Sequence, residues 1–334
     1  MDILGAGPAG LAAALSLKQL APEARVTVLD AARPAHRRPG ETLSPPAQSI
    51  LTSLGCWQAF QAEGFPESFG SRAVWGSDEP YENEFLFSLH GNGWHLDRTR
   101  FDSMLARCAR AAGVEIRDAE AWNGSGNFII DASGRPAAFA IAQGAARHVA
   151  DALVGVFAVL ELAQNCDSYT LVEAQEDGWW YSSMLGDSRA MAAWMSDADL
   201  VRNAHLHDPA CWSTKLAAAK FTSRRLRDAR PLHAPVIHAA QSQCLSVVAG
   251  SGWVAAGDAA MTLDPLSSQG ILQALRSGKL ASFVAFDYLQ GRASTHERYA
   301  QIVKSEYEAY EKTRREFYST ERRWQDSPFW LRRR

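Results

Sequence analysis

Two clusters of small and acidic residues stand out for chemistry. The first, Gly5-Ala6-Gly7-Pro8-Ala9-Gly10, follows a short apolar run and opens an alanine-rich one. That spacing predicts a phosphate-cradling turn between a strand and a helix. Gly5 allows the tight turn, Gly7 lets a pyrophosphate approach the backbone, and Gly10 lets helix and strand pack closely. The helix start adds free N–H groups and a positive dipole end. Asp30 closes the next strand, at the spacing of an acid that binds a ribose hydroxyl. This pattern predicts dinucleotide binding but does not separate NAD from FAD. The second cluster, Gly257-Asp258-Ala259-Ala260, precedes Asp264-Pro265-Leu266-Ser267-Ser268-Gln269-Gly270. Asp258 there can accept from a sugar-alcohol hydroxyl, or simply close a turn.

Further candidates are less specific. Arg98 begins a helix and reads as a phosphate or ring-edge contact, or as a solvated helix-start charge. Gly40, Glu41 and Thr42 follow the second strand and read as a cofactor contact, with Arg38 as a neighbour. Asp131-Ala132-Ser133-Gly134 reads equally as a turn. Trp179, Trp180 and Tyr181 are candidates for a substrate-facing strand, with Trp179 and Tyr181 on one face and Trp180 on the other. Core packing is the competing reading for these aromatics. No nucleophilic triad or paired acid emerges, and His90, His95 and His238 receive no role.

The elements that must position these residues follow from periodicity. Asp2–Leu4 and Arg25–Asp30 read as strands, and Pro8–Leu20 as the helix between them. A basic, proline-rich loop spans Ala31–Pro46, followed by a short helix over Ser49–Leu54. Val74–Gly76 and Phe85–Phe87 read as strands of another sheet. Arg98–Ala112 is a helix, and Val114–Arg117 and Phe128–Asp131 return to the nucleotide sheet. Leu153–Leu160, Tyr169–Glu173, Trp179–Leu185 and Ala190–Met195 predict a mainly antiparallel sheet. Trp253–Gly257 is a buried strand, Gly270–Leu289 a helix and Glu297–Arg323 a charged amphipathic helix. The fold class is therefore α/β, a Rossmann-like domain with an inserted antiparallel domain and a C-terminal helix. The expected division is a discontinuous nucleotide domain over 1–70, 98–150 and 245–290. A substrate domain takes 71–97 and 151–244, and 291–334 forms the C-terminal helix and a basic tail.

Composition bounds the function classes. The chain has 334 residues, 47% apolar content and a net charge of −3, with an isoelectric point near 6.3. That balance argues against nucleic acid or an anionic membrane as the main partner. Charges interrupt every apolar stretch before membrane-spanning length. The N-terminus enters the nucleotide motif directly, which leaves no room for a signal peptide and predicts a cytoplasmic protein. The five cysteines, Cys56, Cys108, Cys166, Cys211 and Cys244, have no Cys-x-x-Cys pair and read as reduced. His205-Leu206-His207 lacks partners at ligand spacing, so no metal site is expected.

The order of the motifs carries a resemblance. The glycine fingerprint, Asp30, Gly40-Glu41-Thr42, Arg98 to Asp102, Asp131 to Gly134 and Gly257 to Gly270 together resemble FAD-dependent monooxygenases of the p-hydroxybenzoate hydroxylase fold. More narrowly, they resemble the tryptophan-halogenase-like branch, over about residues 2 to 290. Asp177 to Ser182 and Glu321 to Trp330 are similar to a subgroup that oxygenates a tryptophan of a partner protein during tryptophylquinone maturation. The resemblance implies FAD held by the fingerprint and by Asp258, with Pro265 and Gly270 beside the isoalloxazine ring. It also implies O2 as co-substrate and hydroxylation of an electron-rich ring through a flavin C4a-hydroperoxide. Reduction would come from NAD(P)H, directly or through a separate flavin reductase.

Departures narrow this picture. Halogenases carry a tryptophan motif ending in Ile-Pro, whereas this chain has Trp179-Trp180-Tyr181-Ser182-Ser183-Met184-Leu185. They also need a lysine beyond the first helices, and no lysine lies between Lys18 and Lys215. Both argue against halogenation. The segment after Asp131 lacks the Ser-x-x-Arg continuation of single-component hydroxylases, which points to a separate reductase. The expected substrate is a tryptophan of a partner protein. A small aromatic metabolite and a carbon–carbon double bond reduced by a flavin reductase or dehydrogenase are the alternatives. A non-enzymatic assembly protein docking through Arg332-Arg333-Arg334 is a further one, against a solvated terminus.

Overall fold

A computed structural model describes residues 1–31, 41–85, 89, 91–122, 124, 126–164, 166–292 and 295–334. Arg38 and Gly40 lie outside the described residues, as do two residues of the expected strand at 85–87. Of Glu41 only the backbone is described.

The short apolar run Asp2–Leu4 lies at the centre of a six-stranded sheet. The order is Ala249–Gly250, Trp253–Ala255, Ile129–Asp131, Asp2–Leu4, Thr27–Asp30 and Glu115–Asp118. All neighbours run parallel except the first pair. Its central strands are buried, as parallel sheets covered by helices require. Helices Pro8–Leu20 and Gly270–Leu289 cover one side. The expected strand over Trp253–Gly257 stops at Ala255, and Gly257–Ala259 turns into a 3-10 helix.

An eight-stranded sheet forms the second layer. Its order is Arg230–Pro231, Leu153–Glu161, Arg189–Asp197, Gly178–Gly186, Tyr169–Gln175, Gly70–Val74 and Tyr81–Glu84, with Val236–Ala239 also on Leu153–Glu161. Only Gly70–Val74 runs parallel to its neighbour Tyr169–Gln175; every other pair is antiparallel. Alternation places Trp179 and Tyr181 on one face, opposite Ala174 and Val172. Trp180 and its cross-strand partner Trp194 lie on the other. That rear face is closed by Pro209–Ala217 and Thr222–Arg225. The buried Glu173 carboxylate accepts from the Thr222 N–H and hydroxyl, each at 2.7 Å.

The front face is closed by the C-terminal segment. The amphipathic helix runs over Thr295–Ser319, not to Arg323. A further turn of helix at Pro328–Leu331 buries Phe329 and Trp330. The Trp330 indole N–H donates to the Gln175 carbonyl at 3.0 Å. The expectation of a solvated basic terminus is corrected for Arg333. Its guanidinium forms a two-pronged pair with Asp197, at 2.5 and 3.2 Å, and both side chains are 1% exposed. Arg332 pairs with Asp199 and Asp197. Among the described residues, no helix is long and apolar enough to cross a membrane.

Candidate active site

The fingerprint glycines differ in what surrounds them. A Cβ on Gly5, at φ +111°, would sit 2.3 Å from the Ala132 carbonyl oxygen, and one on Gly10 would sit 1.9 Å from that of Gly5. Both positions hold the turn against the sheet. A Cβ on Gly7 would meet nothing within 4 Å. The backbone is therefore open where a pyrophosphate would approach. Gly7 is the N-cap of Pro8–Leu20 and no side chain caps this helix, so its first turn presents uncapped N–H groups to that opening. The Ala6 N–H donates to Asp30 Oδ1 at 3.3 Å, which fixes the acid beside the turn. This donor set suits a dinucleotide diphosphate.

Helix Gly270–Leu289 runs alongside the fingerprint helix. A Cβ on Gly278 would fall 2.1 Å from the Ala9 carbonyl oxygen, and one on Gly257 2.6 Å from the Ala9 Cβ. Further on, the Ser282 hydroxyl donates to that of Ser16 at 2.7 Å. The two helices therefore run in the same direction. Gly270 precedes Gly278 by two turns, so this helix starts roughly 12 Å beyond the level of Ala9. Its N-terminus and the preceding Pro265–Ser267 turn lie outboard of the phosphate cradle. Asp258 sits between, 45% exposed, with the Arg135 guanidinium at 3.9 Å.

Asp264, quoted in the sequence only as part of a motif, is a buried and heavily held carboxylate. It is 1% exposed. Its Oδ1 accepts from the Leu266 N–H at 3.0 Å. Its Oδ2 accepts from the Tyr318 hydroxyl at 2.8 Å and from Arg314 Nε at 3.3 Å. The Asp264 N–H donates to the Tyr310 hydroxyl at 2.6 Å. Tyr310, Arg314 and Tyr318 stand four residues apart on one helix face. Arg314 also pairs with buried Asp151 at 2.5 Å, and the Trp179 indole N–H donates to the Tyr318 hydroxyl at 3.1 Å. Burial raises the Asp264 carboxyl pKa against the pull of Arg314.

A second buried network joins a predicted cofactor segment to the predicted substrate strand. Thr42 Oγ1 lies 3.1 Å from the Tyr181 hydroxyl, 2.7 Å from Thr170 Oγ1 and 3.3 Å from His95 Nδ1. His95 Nε2 lies 3.1 Å from the Ser168 carbonyl, so this nitrogen carries the proton and Nδ1 accepts from Thr42. Burial pushes the His95 imidazole down to about 4, which keeps it neutral.

The remaining predicted residues are placed differently. Arg98 lies against Asp102 at 3.5 Å, within a helix whose N-cap, Asp97, accepts from Thr99 and Arg100. Asp131 accepts from the Ser133 N–H and hydroxyl and from the Ala140 N–H, which makes it a turn-forming acid. Trp179 and Trp180 are both 0% exposed. Trp180 packs with Trp194 and Trp212 behind the sheet. Trp179 packs against Trp75 in front. Open depressions of about 460 and 450 Å³ lie elsewhere, one by Arg72 and Arg225, the other by Ser49 and Leu89. Among the described residues, no group of three His, Cys, Asp or Glu is arranged to hold a metal.

Comparison with known proteins agrees with this architecture. The tryptophan halogenase family profile matches residues 76–334. LodB of Marinomonas mediterranea, assigned as an FAD-dependent oxidoreductase, is 27% identical over 99% of this chain and 95% of its own length. The myxobacterial chondrochloren halogenase CndH superposes with a TM-score of 0.89 at 22% identity, covering 100% of this chain and 85% of that one. QhpG, a peptidyl tryptophan dihydroxylase essential for tryptophylquinone cofactor biogenesis, superposes with a TM-score of 0.80. It is 25% identical, over 99% of this chain and 77% of its own.

Proposed function

Because the chain belongs to the tryptophan halogenase family of flavin-dependent enzymes, we propose that it is an FAD-dependent monooxygenase that hydroxylates a tryptophan of a partner protein during quinone-cofactor maturation. A separate flavin reductase using NAD(P)H supplies the electrons. The observation that carries hydroxylation over halogenation is the absence of any lysine between Lys18 and Lys215. Lys215 itself is held by Asp177 and lies 4.3 Å over the Trp194 ring, behind the sheet. The likeness to a peptidyl tryptophan dihydroxylase supports a protein-borne substrate.

When bound, FAD supplies an electrophilic oxygen drawn from O2. The chain's own residues bind and orient. The open backbone at Gly7, with the helix start at Pro8, Ala9 and Gly10, takes the pyrophosphate, while Gly5 and Ala6 shape the turn against the sheet and Asp30. Asp30 takes a ribose hydroxyl and Asp258 a ribityl hydroxyl. Pro265 and the helix N-terminus at Gly270 sit by the ring, where the positive dipole end favours negative charge. Thr42 couples this side to Tyr181 on the sheet, so the hydroxyl network orients the sheet against the cofactor segment.

The test uses FAD-loaded protein with NADH, a flavin reductase, O2 and both chloride and bromide. Free tryptophan and tryptophan-containing proteins of the same host are offered together. The expected product is a protein tryptophan carrying one or two added oxygen atoms. Halogen incorporation, or oxygenation of free tryptophan alone, overturns the reading.

A further inference from the structure

We propose that Asp264 is a positioning residue for the flavin ring, held by the Tyr310–Arg314–Tyr318 stripe so that a fixed negative charge stands beside the ring end of the site. This inference rests on the flavin reading above. Asp264 immediately precedes the Pro265–Ser267 turn, and its side chain caps that turn through the Leu266 N–H. The turn leads into the helix start that extends past the phosphate cradle. One face of the C-terminal helix supplies an acceptor for the Asp264 N–H and two donors for its carboxylate. Three donors on the carboxylate act against the upward push of burial on its pKa.

The neighbouring charges do not cancel. Arg314 is shared among Asp264, Asp151 and Glu311, so the carboxylates around this one guanidinium outnumber it. A buried anion near a ring that becomes negative on reduction opposes that reduction. Asp264 therefore lowers the reduction potential of the bound flavin, which favours electron donation to O2. Tyr318 links the same carboxylate to Trp179 on the sheet, so the ring-side turn and the aromatic face share one anchor.

The test compares the affinity of the full chain for reduced and oxidised FAD, from the potential of the bound cofactor. In Asp264→Asn, FAD stays bound and the preference for the reduced form rises about tenfold, about 30 mV for a two-electron couple. Arg314→Lys keeps the charge and leaves that ratio unchanged, which a merely structural role would not distinguish. A second measurement covers an Asp264→Asn protein that does not fold. With 13C-aspartate labelling, the wild-type reduced-minus-oxidised infrared spectrum contains an aspartate carboxylate band that shifts in Tyr318→Phe. An unchanged potential in folded Asp264→Asn overturns the inference alone, as does an aspartate band absent or indifferent to Tyr318→Phe. Failure of the wild type to bind FAD overturns the flavin reading as well.

Discussion

Gly7 separates binding from folding more cleanly than the other fingerprint glycines. Its backbone is extended, at φ −79° and ψ 179°, and a Cβ there meets no neighbour. Gly7→Ala is expected to change stability by under about 0.5 kcal/mol. It should weaken FAD binding at least about tenfold, about 1.4 kcal/mol, because the methyl occupies the phosphate approach. Gly10→Ala should instead destabilise the FAD-free protein by about 1–3 kcal/mol, since its Cβ strikes the Gly5 carbonyl. Urea denaturation of the apoprotein and FAD titration separate the two outcomes. His95 gives a pH signature. Its pKa is about 4 in the fold and about 6.5 when unfolded. Between those values the unfolded chain binds a proton that the folded chain does not. The stability due to neutral His95 is full above the unfolded value and falls by about 2 kcal/mol on going to pH 5. His95→Gln should flatten the denaturation profile between pH 7 and 5 by that amount.

The strands of the large sheet show which signals travel in local sequence. Gly178–Gly186 and Arg189–Asp197 were legible because aromatic and apolar side chains recur along them between turn residues. The fingerprint was legible for the same reason: its strand, turn, helix and acid all lie within the first thirty residues. Glu41–Leu43 and Gly93–Leu96 escaped because they are short, and their polar Thr42 and His95 are buried by distant partners. The Asp264 anchor escaped likewise, since Tyr318 lies 54 residues away in sequence. Three consecutive arginines suggested water, yet the Asp197 that buries Arg333 stands 136 residues upstream. Two substitutions check these placements. Trp180→Ala should cost about 3–5 kcal/mol by leaving a cavity against Trp194 and Trp212, with the FAD affinity of the folded fraction unchanged. Arg333→Ala should cost about 3 kcal/mol, because it strips a buried carboxylate of its main partner. Denaturant midpoints measure both.

The short strand Glu41–Leu43 is tied to the large sheet, and the Pro265–Ser267 turn to the C-terminal helix, through pairs of residues far apart in the chain, Thr42 with Tyr181 and Asp264 with Tyr318. Cofactor and substrate sides should therefore be lost in one transition, and FAD release and sheet unfolding should coincide when followed by flavin fluorescence and circular dichroism. The proposed separate reductase rests on the segment after Asp131, which lacks the Ser-x-x-Arg continuation of single-component hydroxylases. NADH alone should leave the bound flavin oxidised under anaerobic conditions, whereas added flavin reductase should bleach it within the mixing experiment. The front face of the large sheet carries a last consequence. Trp75 and Trp179 are covered by Phe317, Tyr318 and Trp330, which the ribosome makes long after the strands beneath them. Until residues 317–333 have emerged, the nascent sheet carries an uncovered aromatic face, and during synthesis this face is what a chaperone would meet.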